Sequence, residues 1–450
     1  MKYFGTDGIR GEANIELTFD LAYKTGVALG TLLEEDLGRR PLVFIGRDTR
    51  ISGGMLEAAL TAGLCNAGAD VTSLGVMPTP GVAYLTANTD EADAGIVISA
   101  SHNPFGDNGI KIFGGSGYKL TDSEEERIEE YIDNPPWRVR TGGEIGAVKP
   151  FAGGNPVEAY VRHVAETAPC RLVGMRVAVD CANGASSATA EQLFRALGAD
   201  AVIINKDPDG ININEKCGST HIEGLQEMMK SGRYAIGCAF DGDADRCLLV
   251  DETGAVIDGD NIIGILAEAM KKNGKLKGGV VGTILTNLGL HAFLEERGIP
   301  VLSTNVGDRY VLEKMREQGW NIGGEQSGHV ILSDFASTGD GQLTAVQFLC
   351  AMKMAGKVAS ELNSMIEAFP QVSINVAAPN AIKHQVAKLP EVVQVGEDIK
   401  AAFNGAGRVV IRPSGTEPKV RVMVEGRDKA MVDELAKKAA DVVKAAVEAL

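Results

Sequence analysis

The chain has 450 residues, and 44 Lys and Arg stand against 60 Asp and Glu, a formal charge of −16. That balance excludes a protein gripping nucleic-acid backbone, which needs dense Lys/Arg surfaces, but leaves room for a small anion held by a few converging cations. Seven scattered cysteines without a C-x-x-C pair argue against a disulfide framework or a structural zinc site. No apolar run of about 18 residues offers a membrane span, and the opening Met1-Lys2-Tyr3-Phe4-Gly5 has no apolar leader. A soluble, cytoplasmic protein is expected. Glycine is in excess, 55 of 450 residues against a usual ~7%. Backbone flexibility or many close approaches would account for it.

In chain order, one unit recurs three times. Its first copy runs from Pro41 to Phe44, a short apolar strand, through the polar turn Arg47-Asp48-Thr49-Arg50. A helix marked by Leu56, Leu60 and Leu64 follows, then Gly68 and a second strand from Val71. The second copy has Arg176 to Val179, turn Asp180 to Gly184, a helix through Leu193 and Leu197, Gly198, and Val202 to Ile204. The third has Val280 to Ile284, turn Thr286-Asn287, a helix through Leu290 and Phe293, Gly298, and Val301-Leu302. Strands alternating with helices predict βαβ units and mainly parallel sheets, and glycine at each helix end suits the left-handed C′ position.

The expected architecture is α/β: three related mixed α/β domains at 1–150, 151–255 and 256–368, with a Pro/Gly-rich linker near 134–154. A smaller C-terminal α+β domain spans 369–450, around a central cleft. Its predicted strands are Val372 to Val376, Arg408 to Ile411 and Lys419 to Glu425, and its helix runs from Lys429 to Leu450. Length alone suggests about three domains, one fewer.

Ligands of open α/β sheets sit beyond the carboxyl ends of strands, and four loops there carry chemistry. In Ser99-Ala100-Ser101-His102-Asn103-Pro104 a buried strand delivers Ser101, either a nucleophile or phosphate carrier or a turn serine bonding its own backbone. Asp241-Gly242-Asp243-Ala244-Asp245-Arg246 places three carboxylates at i, i+2 and i+4 after an apolar strand. Their repulsion is relieved by a hard divalent cation, Mg²⁺ in preference to Ca²⁺; a solvated acidic turn is the alternative.

Gly323-Gly324-Glu325-Gln326-Ser327-Gly328-His329 can hydrogen-bond several sugar hydroxyls. Arg412-Pro413-Ser414-Gly415-Thr416-Glu417-Pro418 offers a guanidinium fork, two hydroxyls and backbone N–H groups to one phosphate, with Arg421 as a second cation. Gly5-Thr6-Asp7-Gly8-Ile9-Arg10-Gly11 presents one arginine, and no P-loop signature occurs. Together these parts describe phosphoryl transfer to and from a phosphorylated sugar without a nucleotide.

With these motifs in this order, the chain resembles the α-D-phosphohexomutase superfamily along its whole length. The opening Tyr3-Phe4-Gly5-Thr6-Asp7-Gly8-Ile9-Arg10-Gly11 and Glu325-Gln326-Ser327 narrow the match to bacterial members acting on glucosamine phosphates. The resemblance implies interconversion of glucosamine 6-phosphate and glucosamine 1-phosphate, feeding UDP-N-acetylglucosamine and cell-wall synthesis.

Several roles follow from the resemblance. Ser101 would be a phosphoserine that donates to the sugar, giving a 1,6-bisphosphate that reorients and returns the other phosphate. A glucose or glucosamine 1,6-bisphosphate would act as activator. One Mg²⁺ would be held by the phosphate on Ser101 with Asp241, Asp243 and Asp245. Lys111 matches the proposed acid/base lysine, while Arg10, His102 and Arg246 line the catalytic site. Glu325, Ser327 and His329 would bind the sugar, and Arg412, Ser414, Gly415, Thr416 and Arg421 the phosphate not being transferred.

Two departures from the pattern stand out: Ala244 where many members have Gly, and Gly106 in place of a frequent aromatic, which would loosen the serine loop. The expected partner is a small phosphosugar, with no nucleic acid and no membrane, in a monomer or a homodimer. The alternatives are the same mechanism on mannose or glucose phosphates, and a catalytically silent phosphosugar sensor.

Overall fold

Four sheets organise the computed structural model, which describes residues 2–5, 7–135, 138, 140–414 and 418–450. The first contains β1 (Phe4–Gly5), β2 (Gly8–Glu12), β3 (Leu42–Arg47), β4 (Asp70–Val76), β5 (Ala94–Ile98) and β6 (Asp107–Gly114), in spatial order β1-β2-β6-β5-β3-β4. The second holds β7 (Arg176–Asp180), β8 (Asp200–Ile204), β9 (Ile236–Phe240), β10 (Cys247–Asp251) and β11 (Val256–Ile257), ordered β11-β10-β9-β7-β8. The third is β13-β12-β14-β15, from β12 (Val280–Thr283), β13 (Val301–Thr304), β14 (Ile322–Gly324) and β15 (Val330–Leu332). The last is antiparallel, β16 (Gln371–Ala377), β18 (Lys419–Gly426) and β17 (Gly407–Pro413), with β18 central.

Inside the first three sheets the same four-strand pattern repeats: β6-β5-β3-β4, β10-β9-β7-β8 and β15-β14-β12-β13. In each, one central strand pairs in parallel with two others, and an antiparallel hairpin strand closes the set. The expectation of mainly parallel sheets is therefore corrected, because parallel pairing is confined to three strands per sheet. β6 misleads a periodicity argument: Asn108 to Phe113 are all buried, and a strand covered on both faces reads alike in either direction. The helices Gly53–Asn66, Ala190–Leu197 and Leu288–Glu296 occupy the expected crossovers. Gly68, Gly198 and Gly298, which follow them, have φ of +91°, +78° and +61°, as a left-handed helix stop demands.

One apolar core runs through the first three sheets, from Phe44 and Met77 through Tyr160, Val179 and Phe240 to Leu290 and Phe348. The C-terminal sheet has its own, built on Val376, Val422, Val424 and Val443. The helix Pro390–Phe403 contributes Val392, Val395, Ile399 and Phe403 to it, an element beyond the strands and helix that the sequence predicts for this unit. Polar contacts tie this unit to the third sheet. Buried Glu425 accepts from the Leu288 N–H at 2.7 Å and from Arg408, whose guanidinium also reaches the Thr286 carbonyl. Among the described residues no helix is long and apolar enough to cross a membrane.

Where the helices Asp122–Asp133 and Asp308–Gln318 meet, Glu125 is 7% exposed and its Oε2 has no hydrogen-bond partner. Burial pushes its carboxyl up to about 7, against the pull of Arg309 and with the help of Asp122. With the folded value above the ordinary 4.5, the native state holds more protons than the unfolded chain between the two. The stability Glu125 permits is full below the lower value and is lost as pH rises through the upper. Glu125→Gln should raise the melting temperature above about pH 8 and leave it unchanged near pH 4; an equal shift at both pH values would refute this.

Candidate active site

Three of the chemistry-bearing loops occupy equivalent places. The serine loop joins β5 to β6, the aspartate loop joins β9 to β10, and the Glu325 to His329 loop joins β14 to β15. Each is the hairpin turn after the third strand of the repeated pattern, so the fold converges three copies of one turn on a common centre.

The serine loop leaves fully buried β5. Ser101, 2% exposed, has φ +53°, a left-handed conformation uncommon outside glycine. Its N–H donates to Ser99 Oγ at 2.9 Å, and its own Oγ donates to Asp241 Oδ2 at 2.5 Å. His102 Nδ1 lies 3.4 Å from that Oγ and 3.2 Å from Arg246 Nη1. Burial, with Arg246 and Arg10 nearby, lowers His102 to about 4, so it is neutral near pH 7 and Nδ1 accepts from Arg246. Gly242 brings the aspartate loop against this one. A Cβ there would stand 2.5 Å from the Ser101 carbonyl and 2.9 Å from Asn214 Nδ2, so only glycine fits. A Cβ at Gly106 would meet nothing within 4 Å, while the Gly106 carbonyl accepts from the Ala13 N–H at 2.9 Å.

Asp241, Asp243 and Asp245 are all buried, and one ligand atom from each lies within 4.8 Å of the others. Burial, then repulsion from Asp245 and Asp243, raises the Asp241 carboxyl well above its usual range. Asp243 Oδ1 and Asp245 Oδ1 are buried without a hydrogen-bond partner. Orphaned carboxylate oxygens around a repelling triad are what a hard cation satisfies, so these residues fit Mg²⁺. Thr79 braces the loop, its Oγ1 donating to Asp243 Oδ2 at 2.7 Å and its N–H to the Asp243 carbonyl at 2.9 Å. Ala244, the departure from the family's Gly, has φ +56°, where glycine would sit without the methyl's steric cost.

Around this centre charges alternate in a closed ring. Lys111 Nζ is 2.9 Å from Asp243, 3.1 Å from Asp7 and 3.7 Å from Asp245. Asp7 also pairs with Arg10 and, at 2.5 Å, with Lys119. Lys119 reaches Asp308 at 2.6 Å, and His329 lies 3.7 Å from Asp308 and 3.5 Å from Asp245. Burial alone would strip the proton from Lys111, but Asp243, Asp7 and Asp245 outweigh it and hold the ammonium far above its ordinary range. Burial likewise opposes charge on His329, and the carboxylates of Asp245 and Asp308 overcome it, raising its proton affinity. In its neutral form the proton sits on Nδ1, because Nε2 accepts from the Gly339 N–H at 3.1 Å.

Glu325 Oε1 accepts from the Gly307 N–H at 3.1 Å, and its charge acts on both Arg246 and Arg412. Ser327 is exposed. The Gln326 amide turns aside to Asp258 Oδ2, 3.1 Å away. In the C-terminal sheet Arg412 and Arg421 are direct cross-strand neighbours, a like-charge pairing that an anion relieves. Burial and Arg421 together lower the proton affinity of Arg412. Ser414 is buried, its N–H donating to the Lys419 carbonyl at 2.9 Å; Gly415 and Thr416 lie outside the described residues.

Thus Ser101, His102, Arg10, Lys111, Arg246, the three aspartates and His329 share one network. Sequence reading did not single out Asp7, Thr79, Lys119, Asp308 or Asn214 as site residues, nor Asp48 and Arg50 beyond their place in a polar turn. A groove of about 630 Å³ between the helices Pro156–Thr167 and Ala190–Leu197 contains none of these residues.

Comparison with known proteins adds four family matches in order. Phosphoglucomutase/phosphomannomutase alpha/beta/alpha domains I, II and III match residues 1–138, 158–254 and 258–369, and the C-terminal domain matches 374–442. The phosphoglucosamine mutase of Acetivibrio thermocellus is 48% identical over 452 residues, covering 100% of this chain and 99% of that protein. That of Bacillus subtilis is 47% identical over 446 residues, covering 98% of each. Among solved structures, a phosphoglucomutase/phosphomannomutase family protein from Burkholderia thailandensis superposes with a TM-score of 0.81 at 26% identity, covering 99% of this chain and 97% of that one. The N-acetylphosphoglucosamine mutase of Aspergillus fumigatus, solved with GlcNAc-6P and magnesium, has a TM-score of 0.69 at 19% identity, covering 99% and 96%.

Proposed function

Because the chain belongs to the phosphoglucomutase/phosphomannomutase family of phosphohexomutase isomerases, we propose that it interconverts glucosamine 6-phosphate and glucosamine 1-phosphate. The substrate rests on one observation, the end-to-end identity near one half with relatives of that named activity. The mechanism rests on Ser101 Oγ lying 2.5 Å from the carboxylate of a three-aspartate cluster.

Ser101 carries the phosphoryl group. Transfer breaks its Oγ–P bond and forms a P–O bond to the sugar hydroxyl, whose proton leaves to a base while Oγ takes one up; the bisphosphate turns over and returns its other phosphoryl group. Asp241, Asp243 and Asp245, with the phosphate on Ser101, hold Mg²⁺, which supplies charge neutralisation and Lewis-acid polarisation at phosphorus. Lys111 is the acid/base group, giving a proton to the departing Oγ and taking up the proton of the attacking sugar hydroxyl. Neutral His102 keeps Arg246 aimed beside Ser101, and Arg10 lines the site through its pair with Asp7. Glu325, Ser327 and His329 bind sugar hydroxyls, and Arg412, Ser414, Gly415, Thr416 and Arg421 grip the resting phosphate. A sugar 1,6-bisphosphate primes Ser101. We place the protein in the cytoplasm, supplying UDP-N-acetylglucosamine synthesis, with its four units taken as domains bounded near 150, 255 and 368.

A coupled assay across glucosamine, N-acetylglucosamine, glucose and mannose 6-phosphates tests the substrate. The expected result is the highest kcat/KM for glucosamine 6-phosphate, and a preference for mannose 6-phosphate would overturn the assignment.

A further inference from the structure

Behind the serine loop lies a guanidinium with no exposure to solvent. The Arg50 side chain is 0% exposed and pairs with Asp48, itself 0% exposed, at 2.8 Å. An arginine has five N–H donors in a planar fork, and here all five are used. Nε donates to Asp48 Oδ2; Nη1 donates to the carbonyls of Pro104 and, at 2.9 Å, Asp107; Nη2 donates to those of Ser101 at 3.0 Å and Asn103 at 2.8 Å. The second sheet sends a matching amide from the opposite side. Asn214 Nδ2 donates to the same Ser101 carbonyl at 2.9 Å and the same Asn103 carbonyl at 3.1 Å. Asn214 is 5% exposed, and its loop is pinned to the turn bearing Arg50 by the Ile51 N–H, which donates to the Gly210 carbonyl at 2.8 Å. Asp48 completes the cradle: its Oδ2 also accepts from Ser99 Oγ at 2.6 Å, and that oxygen accepts the Ser101 N–H.

We propose that Arg50 and Asn214 are positioning residues that clamp the serine loop through its carbonyls. They hold Ser101 in its left-handed conformation with Oγ directed at Asp241. The clamp has a physical logic. A non-glycine residue at φ +53° persists only where its surroundings over-determine it, and six hydrogen bonds on four carbonyls of the one loop do that. Neither side chain touches the sugar or the phosphate in this scheme. Their removal therefore acts on the placement of the reacting oxygen, to which rate is steeply sensitive, and not on ground-state binding. The proposal rests on Ser101 being the phosphate carrier.

The test uses Asn214→Ala, which leaves the Arg50–Asp48 ion pair intact, beside Arg50→Lys, which keeps the charge but cannot supply five donors in a plane. In Asn214→Ala, kcat should fall about tenfold to a hundredfold with KM for glucosamine 6-phosphate within about twofold. Hydrogen exchange of the amides at 101–107 should quicken while exchange in β3 and β5 stays as in wild type. Arg50→Lys should lower kcat in the same way, because retaining the charge alone does not rebuild the clamp. An unchanged kcat, a change confined to KM, or unaltered exchange at 101–107 would overturn the clamp. The exchange measurement needs no substrate, so it separates failure of the clamp from failure of the mutase assignment, which would show as an inactive wild type.

Discussion

Replacing Ser101 by alanine should abolish turnover while the protein still folds and still binds its sugar phosphate. The fold is spared because the methyl occupies the same left-handed position, and the cradle that holds the loop acts on main-chain atoms. What is lost locally is one hydrogen bond to Asp241, worth about 1 kcal/mol, small beside the stability of a chain with a core shared by three sheets. Binding should be spared, because under the proposed function the sugar and the resting phosphate are held by other loops. The chemistry has no substitute: Ser99, the other hydroxyl of the loop, is 0% exposed and committed to Asp48. The rate should fall at least about a thousandfold, as removal of a covalent nucleophile does elsewhere. Wild-type protein incubated with glucose 1,6-bisphosphate should gain a phosphoryl group of about 80 Da on Ser101, and the variant none. Turnover surviving in the variant would discard the phosphoserine mechanism, and undiminished phosphorylation would place the carrier elsewhere.

The parts of this centre visible in the sequence are those where the chain itself supplies the geometry. Asp241, Asp243 and Asp245 lie within five consecutive positions, on a tight turn after a buried strand, so their repulsion needs no knowledge of the fold. Ser101 stands at the end of such a strand for the same reason. Lys119, by contrast, meets Asp308 across 189 residues, and Asn214 meets Ser101 across 113; nothing local distinguishes them from surface polar residues. Arg50 does have a local signal, two arginines bracketing an aspartate where the apolar strand β3 ends at Arg47. A charged turn there must bury its ion pair or project into the cleft, and it does the first. The glycine excess divides likewise. Gly242 sits where two site loops touch, as the composition suggested, whereas Gly38, Gly198, Gly319 and Gly356 end helices in the left-handed region. Gln326, part of the motif that narrowed the resemblance, turns to Asp258 at the start of the helix Gly259–Lys272, so its contribution is to the shape of the sugar loop.

Neutralising one aspartate separates the cation site from the fold. In Asp243→Asn the amide oxygen can still accept from Thr79 Oγ1 and from Lys111 Nζ, the two side-chain donors to Oδ2, so the loop keeps its bracing. Lys111 retains Asp7 at 3.1 Å and Asp245 at 3.7 Å. Removing one of three mutually repelling charges also eases the ionisation of Asp241, which Asp245 and Asp243 push upward after burial. Without magnesium, then, the variant should melt within a few degrees of wild type. With magnesium the two should part. A cation that binds only the folded state at a hundred times its Kd stabilises wild type by about 2.7 kcal/mol, and loss of one of three anionic ligands should remove most of that gain together with turnover. Differential scanning calorimetry with and without Mg²⁺, beside the coupled assay, reads both. Normal rates in Asp243→Asn, or an undiminished magnesium-dependent rise in its melting temperature, would show that the aspartate loop is not the cation site.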